Sequence, residues 1–285
     1  MRVARMQPEG SRAPGTEPAI PSADVRDDLF ARLRGNVFPF VIMACEPGVL
    51  AGAGGLAAKA AELGVHVEWM AGNGARLGPG SLVCTARGDA WQVARSEEQL
   101  IALVAKASGV ATAAASLVLQ ARGRARIVCG AWKKVPVEAR AALRDAAAVG
   151  GVGTRILDTP FLYLDKNYVR MLGGVGPAVH RAREVPGRAV VVQLRGETAS
   201  ITEEAREAAA EGAAVLMVDT GRIVDLAAVA RLAGSGRLGS QVQVAYAGSI
   251  GPASLDDAIE AGATILDVGR AILDAPMVDL RLDVT

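Results

Sequence analysis

The run FLYLDKN, Phe161 to Asn167, leads four apolar or aromatic residues straight into Asp165, Lys166 and Asn167. An apolar strand that ends in charge delivers those side chains to a site. The pattern recurs along the chain. Trp132, Lys133 and Lys134 follow ARIVCGA, Gln193 and Arg195 close AVVVQLR, and Asp219 ends AVLMVD. Gly248-Ser249 follow VQVAYA, and Gly269-Arg270 follow TILDV. Greasy segments that all end in polar groups or glycine imply one rim on which those ends converge. Two of the ends suit an anion. YAGSIGPASLDDAI reads as strand, Gly-Ser turn and helix, and LDVGRAI as the next strand with Gly269 at its tip. Bare N–H groups beside a helix start bind phosphate, and glycine lets the phosphate approach the chain. Arg270 would add a charged donor there.

The inventory excludes other chemistries. The chain has two histidines, His66 and His180, far apart, so neither a histidine metal centre nor a Ser-His-Asp triad is expected. Cys45, Cys84 and Cys129 are odd in number and each lies in an apolar setting. Reduced, buried thiols in a cytoplasmic protein are the expectation. Net charge is +1, and the Lys and Arg residues are scattered among few aromatics. No nucleic-acid partner is therefore expected. No apolar run is read as approaching the ~18 residues of a membrane span. Arg2 and Arg5 are not followed by the apolar segment of a secretory signal.

Periodicity supplies the elements that must hold the rim. Residues 1–22 are rich in Pro, Gly, Arg and Ser and read as a disordered tail. Residues 23–112 read as an α+β domain. A helix in ADVRDDLFARLRG ends at Gly35, two strands flank Pro47-Gly48, GGLAAKAAELG is helical, and VHVEWM alternates as a strand. SEEQLIALVAKASGVATAAASLVLQARG is a long helix leading onward. Residues 113–275 alternate apolar strands with helices, as a parallel sheet covered on both faces requires. Six such units fit an incomplete α/β barrel rather than the eight of a full one. The last segment, 276–285, is expected to pack back on the first domain.

The series EPGVLAG, SGVAT, GGVGTR, LYLDKN, EGAAVLMVD, AGSI and DVGRAILDAPMVDLRLDV resembles the quinolinate phosphoribosyltransferase family, including its molybdenum-operon relatives. The likeness runs from about residue 24 to the end. It implies a type II phosphoribosyltransferase fold: an open α+β sandwich followed by a partial α/β barrel. It implies a homodimer, or a hexamer built from dimers, in which the partner chain completes each site. It also implies chemistry at an anomeric carbon, with phosphoribosyl pyrophosphate, an aromatic acceptor and Mg2+, and no organic cofactor.

Under that resemblance, Gly248, Ser249, Gly269 and Arg270 form the phosphate end, and Asp219 stands near the ribose and metal. Lys133 meets the lysine of the family's TRK signature, Trp132 its arginine, and Lys134 lies beside them. Arg155 meets the arginine of an HR pair whose histidine is Thr154. Asp165-Lys166-Asn167 meets KDN with lysine and aspartate exchanged. Glu98 falls on the helix arginine donated across the dimer, and Arg95 lies one turn earlier. The strand glutamate near the metal falls around Gln193 or Arg195. Lys133, Asp165, Lys166 and Asp219 are thus the expected catalytic set, with Asp219 on the metal. Trp132, Lys134, Arg155, Asn167, Glu98 and Arg95 are the expected acceptor contacts.

The family's acceptor is a pyridine dicarboxylate, and its pocket is cationic. Here arginines give way to Trp132 and Glu98, and histidine to Thr154. Strand alternation would aim Asp165 inward and turn Lys166 away. At ~4 Å and an effective dielectric near ~20, replacing attraction by repulsion is a swing of several kcal/mol. The first reading is therefore a phosphoribosyltransferase-like enzyme whose acceptor is neutral, cationic or aromatic rather than quinolinate. Trp132 would supply a stacking face and Asp165 or Glu98 a partner for an N–H. The alternatives are a non-catalytic family member binding a phosphorylated ligand or a protein, and an ordinary enzyme of pyridine nucleotide biosynthesis.

Overall fold

The computed structural model of the protein describes residues 24–238 and 242–285, so the tail expected over 1–22 lies outside the described residues. The first unit comprises α1 (Val25–Leu29), β1 (Phe38–Ala44), β2 (Gly48–Val49), α2 (Ala53–Glu62), β3 (His66–Met70), β4 (Arg76–Leu77) and β5 (Leu82–Gly88). β1 alternates as its sequence implies: Phe40, Ile42 and Ala44 are buried and their neighbours are less so. β1 lies between β5 and a strand from the C-terminus, Leu280–Val284, with β3 at the far edge. The sheet is antiparallel and carries its own core of Phe40, Ile42, Leu56, Val83 and Leu100.

One long helix, α3 (Ala90–Ala121), joins the two units. It begins six residues before the SEEQ run that marks it in the sequence. Asp89 and Gln92 form a reciprocal capping box there, and each satisfies an amide that the helix leaves unpaired. Leu100 and Val104 belong to the first core, and Val110, Ala114 and Leu117 to the second. Among the described residues α3 is also the one helix long and apolar enough to cross a bilayer, with mean hydropathy 1.7 over its best window. This corrects the expectation that no run reaches that length. Half of the window is buried inside the protein. Gly109, in SGVAT, marks a close crossing: a Cβ there would sit 1.9 Å from the Pro276 carbonyl oxygen. Only glycine admits the C-terminal segment at that approach.

The second unit runs β6 (Arg126–Val128), α4 (Val137–Val149), β7 (Phe161–Leu164), α5 (Lys166–Met171), α6 (Val175–Arg183), β8 (Ala189–Leu194), α7 (Ile201–Ala210) and β9 (Val215–Val218). It continues through α8 (Ile223–Gly234), β10 (Gln243–Ala247), α9 (Pro252–Glu260), β11 (Ile265–Asp267) and α10 (Arg270–Leu273), and β12 (Leu280–Val284) is the strand that returns to β1. The six strands are parallel in the order β6-β11-β10-β9-β8-β7. β6 and β7 are consecutive in the chain but stand at opposite edges, so the sheet curls without closing. Gly153 makes a lone parallel bridge to Val128 on the free edge of β6. The fold is α/β: an open α+β unit followed by a partial barrel.

Strand alternation divides the barrel into two layers. Val128, Val191, Val215, Met217, Ala245 and Ile265 fill the inside. Their neighbours Ile127, Val190, Val192, Leu216, Val244 and Leu266 pack outward against the helices. The inner layer plugs the barrel, so chemistry is left to the C-terminal strand ends.

Candidate active site

Following the inner face up each strand leads to Tyr163 on β7, Gln193 on β8, Asp219 just past β9 and Asp267 at the end of β11. The Gln193 side-chain amide donates to Asp219 Oδ2, and its carbonyl accepts the Lys166 backbone amide at 2.6 Å. Arg195 Nη1 donates to the Asp219 carbonyl at 2.9 Å, and its Nε donates to Glu197 at 3.0 Å. Glu197 in turn holds Arg170 of α5 through two bonds of 2.9 Å. The ends of β7, β8 and β9 are therefore tied by one polar chain.

Glu204 fixes the base of that chain. It is 2% exposed, and its carboxylate accepts the backbone amides of Arg195, Gly196, Glu197 and Thr198. Ser200 and Glu203 form a capping box on α7, which sets the direction in which Glu204 enters the loop.

The β10 and β11 ends carry the backbone features of the expected phosphate loops. Gly248 has φ 114, and a Cβ there would meet Gly221 N and Cα at 3.2 Å. Ser249 also adopts a left-handed φ, 57, uncommon for a residue with a side chain. Gly251 caps α9 with Pro252 behind it. Gly269 precedes α10 and lies beside the Lys133–Lys134 turn: a Cβ on it would meet Ala131 Cβ at 2.9 Å. Arg270 is largely exposed, and its guanidinium pairs with Asp274 along the same short helix.

The structure revises several residues of the acceptor end. Trp132 is not a free stacking face. It is 6% exposed, its indole N–H donates to the Thr154 carbonyl at 3.3 Å, and Arg144 lies 5.2 Å over its ring. Its large apolar surface is spent in the core, where α4 meets the barrel. Asp165 does not point inward by strand alternation. It lies one residue beyond β7 and caps α5, accepting the Asn167 and Tyr168 amides at 2.9 and 3.2 Å. A short helix begins where the sequence suggested continued strand, because aspartate followed by free amides makes an N-cap. Lys166 and Asn167 are exposed on its first turn. Arg155 is exposed, with its guanidinium 5.4 Å from the Phe161 ring. Glu98 pairs with Arg26 of α1, and Arg95 stacks at 4.6 Å on Trp91. Arg26 lies in α1 and Trp91 in the first turn of α3, and the single chain does not bring Glu98 or Arg95 into the polar chain at the rim.

Asp267 and Tyr163 belong at the mouth and were not singled out from sequence. Asp267 Oδ1 accepts the Gly130 amide at 2.7 Å. Burial raises its pKa, Asp219 adds to the effect, and Gly130 with Lys134 and Lys133 opposes it. Burial likewise raises the Tyr163 phenol, reinforced by Asp267, Asp219 and Asp165 and opposed by Arg195. The phenol therefore stays protonated at neutral pH. The sequence carries a signal for Asp267, since TILD ends in aspartate as AVLMVD does, two residues before Gly269. Cys84 and Cys129 are pushed up by burial to about 11, which removes them as nucleophiles.

Comparison with known proteins places this site in context. Residues 110–283 match the description "Quinolinate phosphoribosyl transferase, C-terminal domain". The human carboxylating nicotinate-nucleotide pyrophosphorylase is 33% identical over 181 residues, covering 62% of this chain and 60% of the human protein. The rat protein of the same name is 31% identical over 226 residues, covering 75% and 74%. The solved nicotinate-nucleotide pyrophosphorylase of Francisella tularensis superposes with a TM-score of 0.79 at 19% identity, covering 94% of this chain and 92% of that one. That last likeness is one of fold.

Proposed function

Because the chain belongs to the quinolinate phosphoribosyltransferase family, we propose that it transfers a phosphoribosyl group to an aromatic or heterocyclic acceptor other than quinolinate. The observation that carries this reading is the lining of the mouth, where Tyr163, Asp219 and Asp267 end β7, β9 and β11 on the inner face. A diacid lowered toward that ring meets repulsion, whereas a ring bearing N–H or positive charge meets acceptors. In a dimer, Glu98 from a second copy would add another carboxylate. Trp132, withdrawn into the core, supplies no guanidinium in compensation.

The donor is proposed to lie with its phosphate on the Gly248-Ser249 and Gly269 loops. Lys133 and Lys134, exposed on the turn that starts at Gly130, are suited to the donor's other anionic groups. Asp219 is the residue proposed to hold Mg2+. Its Oδ1 accepts no hydrogen bond among the described residues, while Oδ2 is held by Gln193 and Arg195. Mg2+ commonly takes one or two carboxylates and completes its shell with water and substrate phosphates, which fits this arrangement. When bound, it neutralises the charge that develops on a departing diphosphate.

A second reading is an ordinary nicotinate-nucleotide pyrophosphorylase. It is favoured by the Lys133–Lys134 pair and by the names of the human and rat relatives. The deciding experiment incubates the protein with phosphoribosyl pyrophosphate, Mg2+ and a panel of aromatic acceptors, quinolinate included, and identifies nucleotide products. Product from a neutral or cationic acceptor supports the proposal, product from quinolinate alone supports the second reading, and no product with any acceptor contradicts both.

A further inference from the structure

Asp267 ends β11 beside β6, its neighbour in the sheet. The amide it accepts, that of Gly130, opens the 3-10 turn Ala131–Lys134. That turn carries Lys133 and Lys134, both exposed. The same turn rests on the phosphate-end loop through the close Ala131–Gly269 approach. One carboxylate thus fixes the start of a turn that carries two lysines and meets the glycine tip of β11 through Ala131. The fit is reciprocal. A Cβ on Gly130 would come 2.7 Å from Asp267 Oδ2 and 3.2 Å from Oδ1. Gly130 itself has φ −107, so it is glycine for space rather than for backbone freedom.

We propose that Asp267 is a positioning residue: it latches the Gly130 amide and so holds Lys133 and Lys134 where they bind the anionic phosphoribosyl donor. This rests on the phosphoribosyltransferase reading above. A lysine is a point charge on a flexible stem, and its binding entropy depends on how firmly its backbone is held. An amide donating to a carboxylate is a strong bond for that purpose. Released from Asp267, the turn lets both exposed lysines range more widely.

The test uses the full chain, phosphoribosyl pyrophosphate with Mg2+ as the titrant, and calorimetry. Asp267→Asn keeps a carbonyl for the Gly130 amide and is expected to bind the donor within about threefold of wild type. Asp267→Ala and Gly130→Ala are each expected to weaken it by about tenfold or more, the second by displacing the carboxylate. The double variant is expected to be no weaker than either single one, since the pair acts as a unit. A readout independent of donor is the Gly130 amide proton: it is expected to exchange faster with water in Asp267→Ala and to be unchanged in Asp267→Asn. Equal loss in Asp267→Asn and Asp267→Ala, or losses that multiply in the double variant, overturns the latch. A wild-type protein that binds no donor while keeping a protected Gly130 amide overturns the phosphoribosyl reading and the donor role of Asp267. An unprotected amide overturns the latch itself.

Discussion

The side-chain amide of Gln193 donates to the carboxylate of Asp219. The carbonyl of that same amide receives the Lys166 backbone N–H, so one neutral side chain joins the ends of β7, β8 and β9. Gln193→Leu leaves the Lys166 amide unmatched and Asp219 with Arg195 alone, and is expected to cost about 1–3 kcal/mol in urea denaturation. Gln193→Glu keeps an acceptor for Lys166 but sets a second charge against Asp219, and should be less stable at pH 8 than at pH 5. Unchanged denaturation midpoints in both variants would show that the bridge carries no energy.

Glu204 gathers four backbone amides of the β8–α7 loop at 2.8 to 3.1 Å. Glu204→Leu deprives all of them at once. The expected loss is about 1–3 kcal/mol, because Gly196, Glu197 and Thr198 are exposed and their freed amides can turn to water. Hydrogen exchange should also show residues 195–198 opening before the rest of the barrel. A midpoint within the scatter of surface variants would contradict this role.

Asp267 predicts a pH dependence. Burial raises its pKa above the ordinary 3.8, so the folded state holds the proton more tightly than the unfolded chain. Its favourable share is complete below about pH 3.8 and is lost as pH rises through the folded pKa. Asp267→Asn cannot ionise, so its stability relative to wild type is expected to improve between pH 4 and neutrality. Urea midpoints of the two proteins across that range check it, and a wild-type protein that gains on the variant as pH rises contradicts it.

Trp132 stands at a position where the family resemblance calls for arginine, yet its indole packs in the core and donates to Thr154. Trp132→Ala is expected to cost about 3–5 kcal/mol, as truncation of a buried aromatic does. Trp132→Arg should not recreate a cationic pocket, since it would bury a guanidinium near Arg144. A folded Trp132→Arg variant of wild-type stability would reverse the present placement of this residue.

The fold was readable because the barrel strands are continuously apolar and their helices carry clear caps and glycines. Chain order alone could not show that β6 and β7 stand at opposite edges. The site was readable to the extent that its groups end strands: Asp219, Gly248 and Gly269 lie where the apolar runs stop. Asp165 is ambiguous in the sequence because a strand end and an N-cap share the same residue type, and the free amides of α5 settle the competition. Trp132 was misjudged because composition cannot say whether an aromatic at a strand end turns to the mouth or to the core. Asp267 and Gly130 were missed because their bond joins residues 137 positions apart.

The central claim is that the family's donor chemistry is kept while its diacid acceptor is refused. Protein, Mg2+, phosphoribosyl pyrophosphate and quinolinate are mixed, and nicotinate mononucleotide and carbon dioxide are followed. The account predicts that the donor binds while quinolinate turnover stays well below ~0.1 s⁻¹, under the usual range of enzyme rates. Turnover near ~1 s⁻¹ would contradict it and identify an ordinary nicotinate-nucleotide pyrophosphorylase.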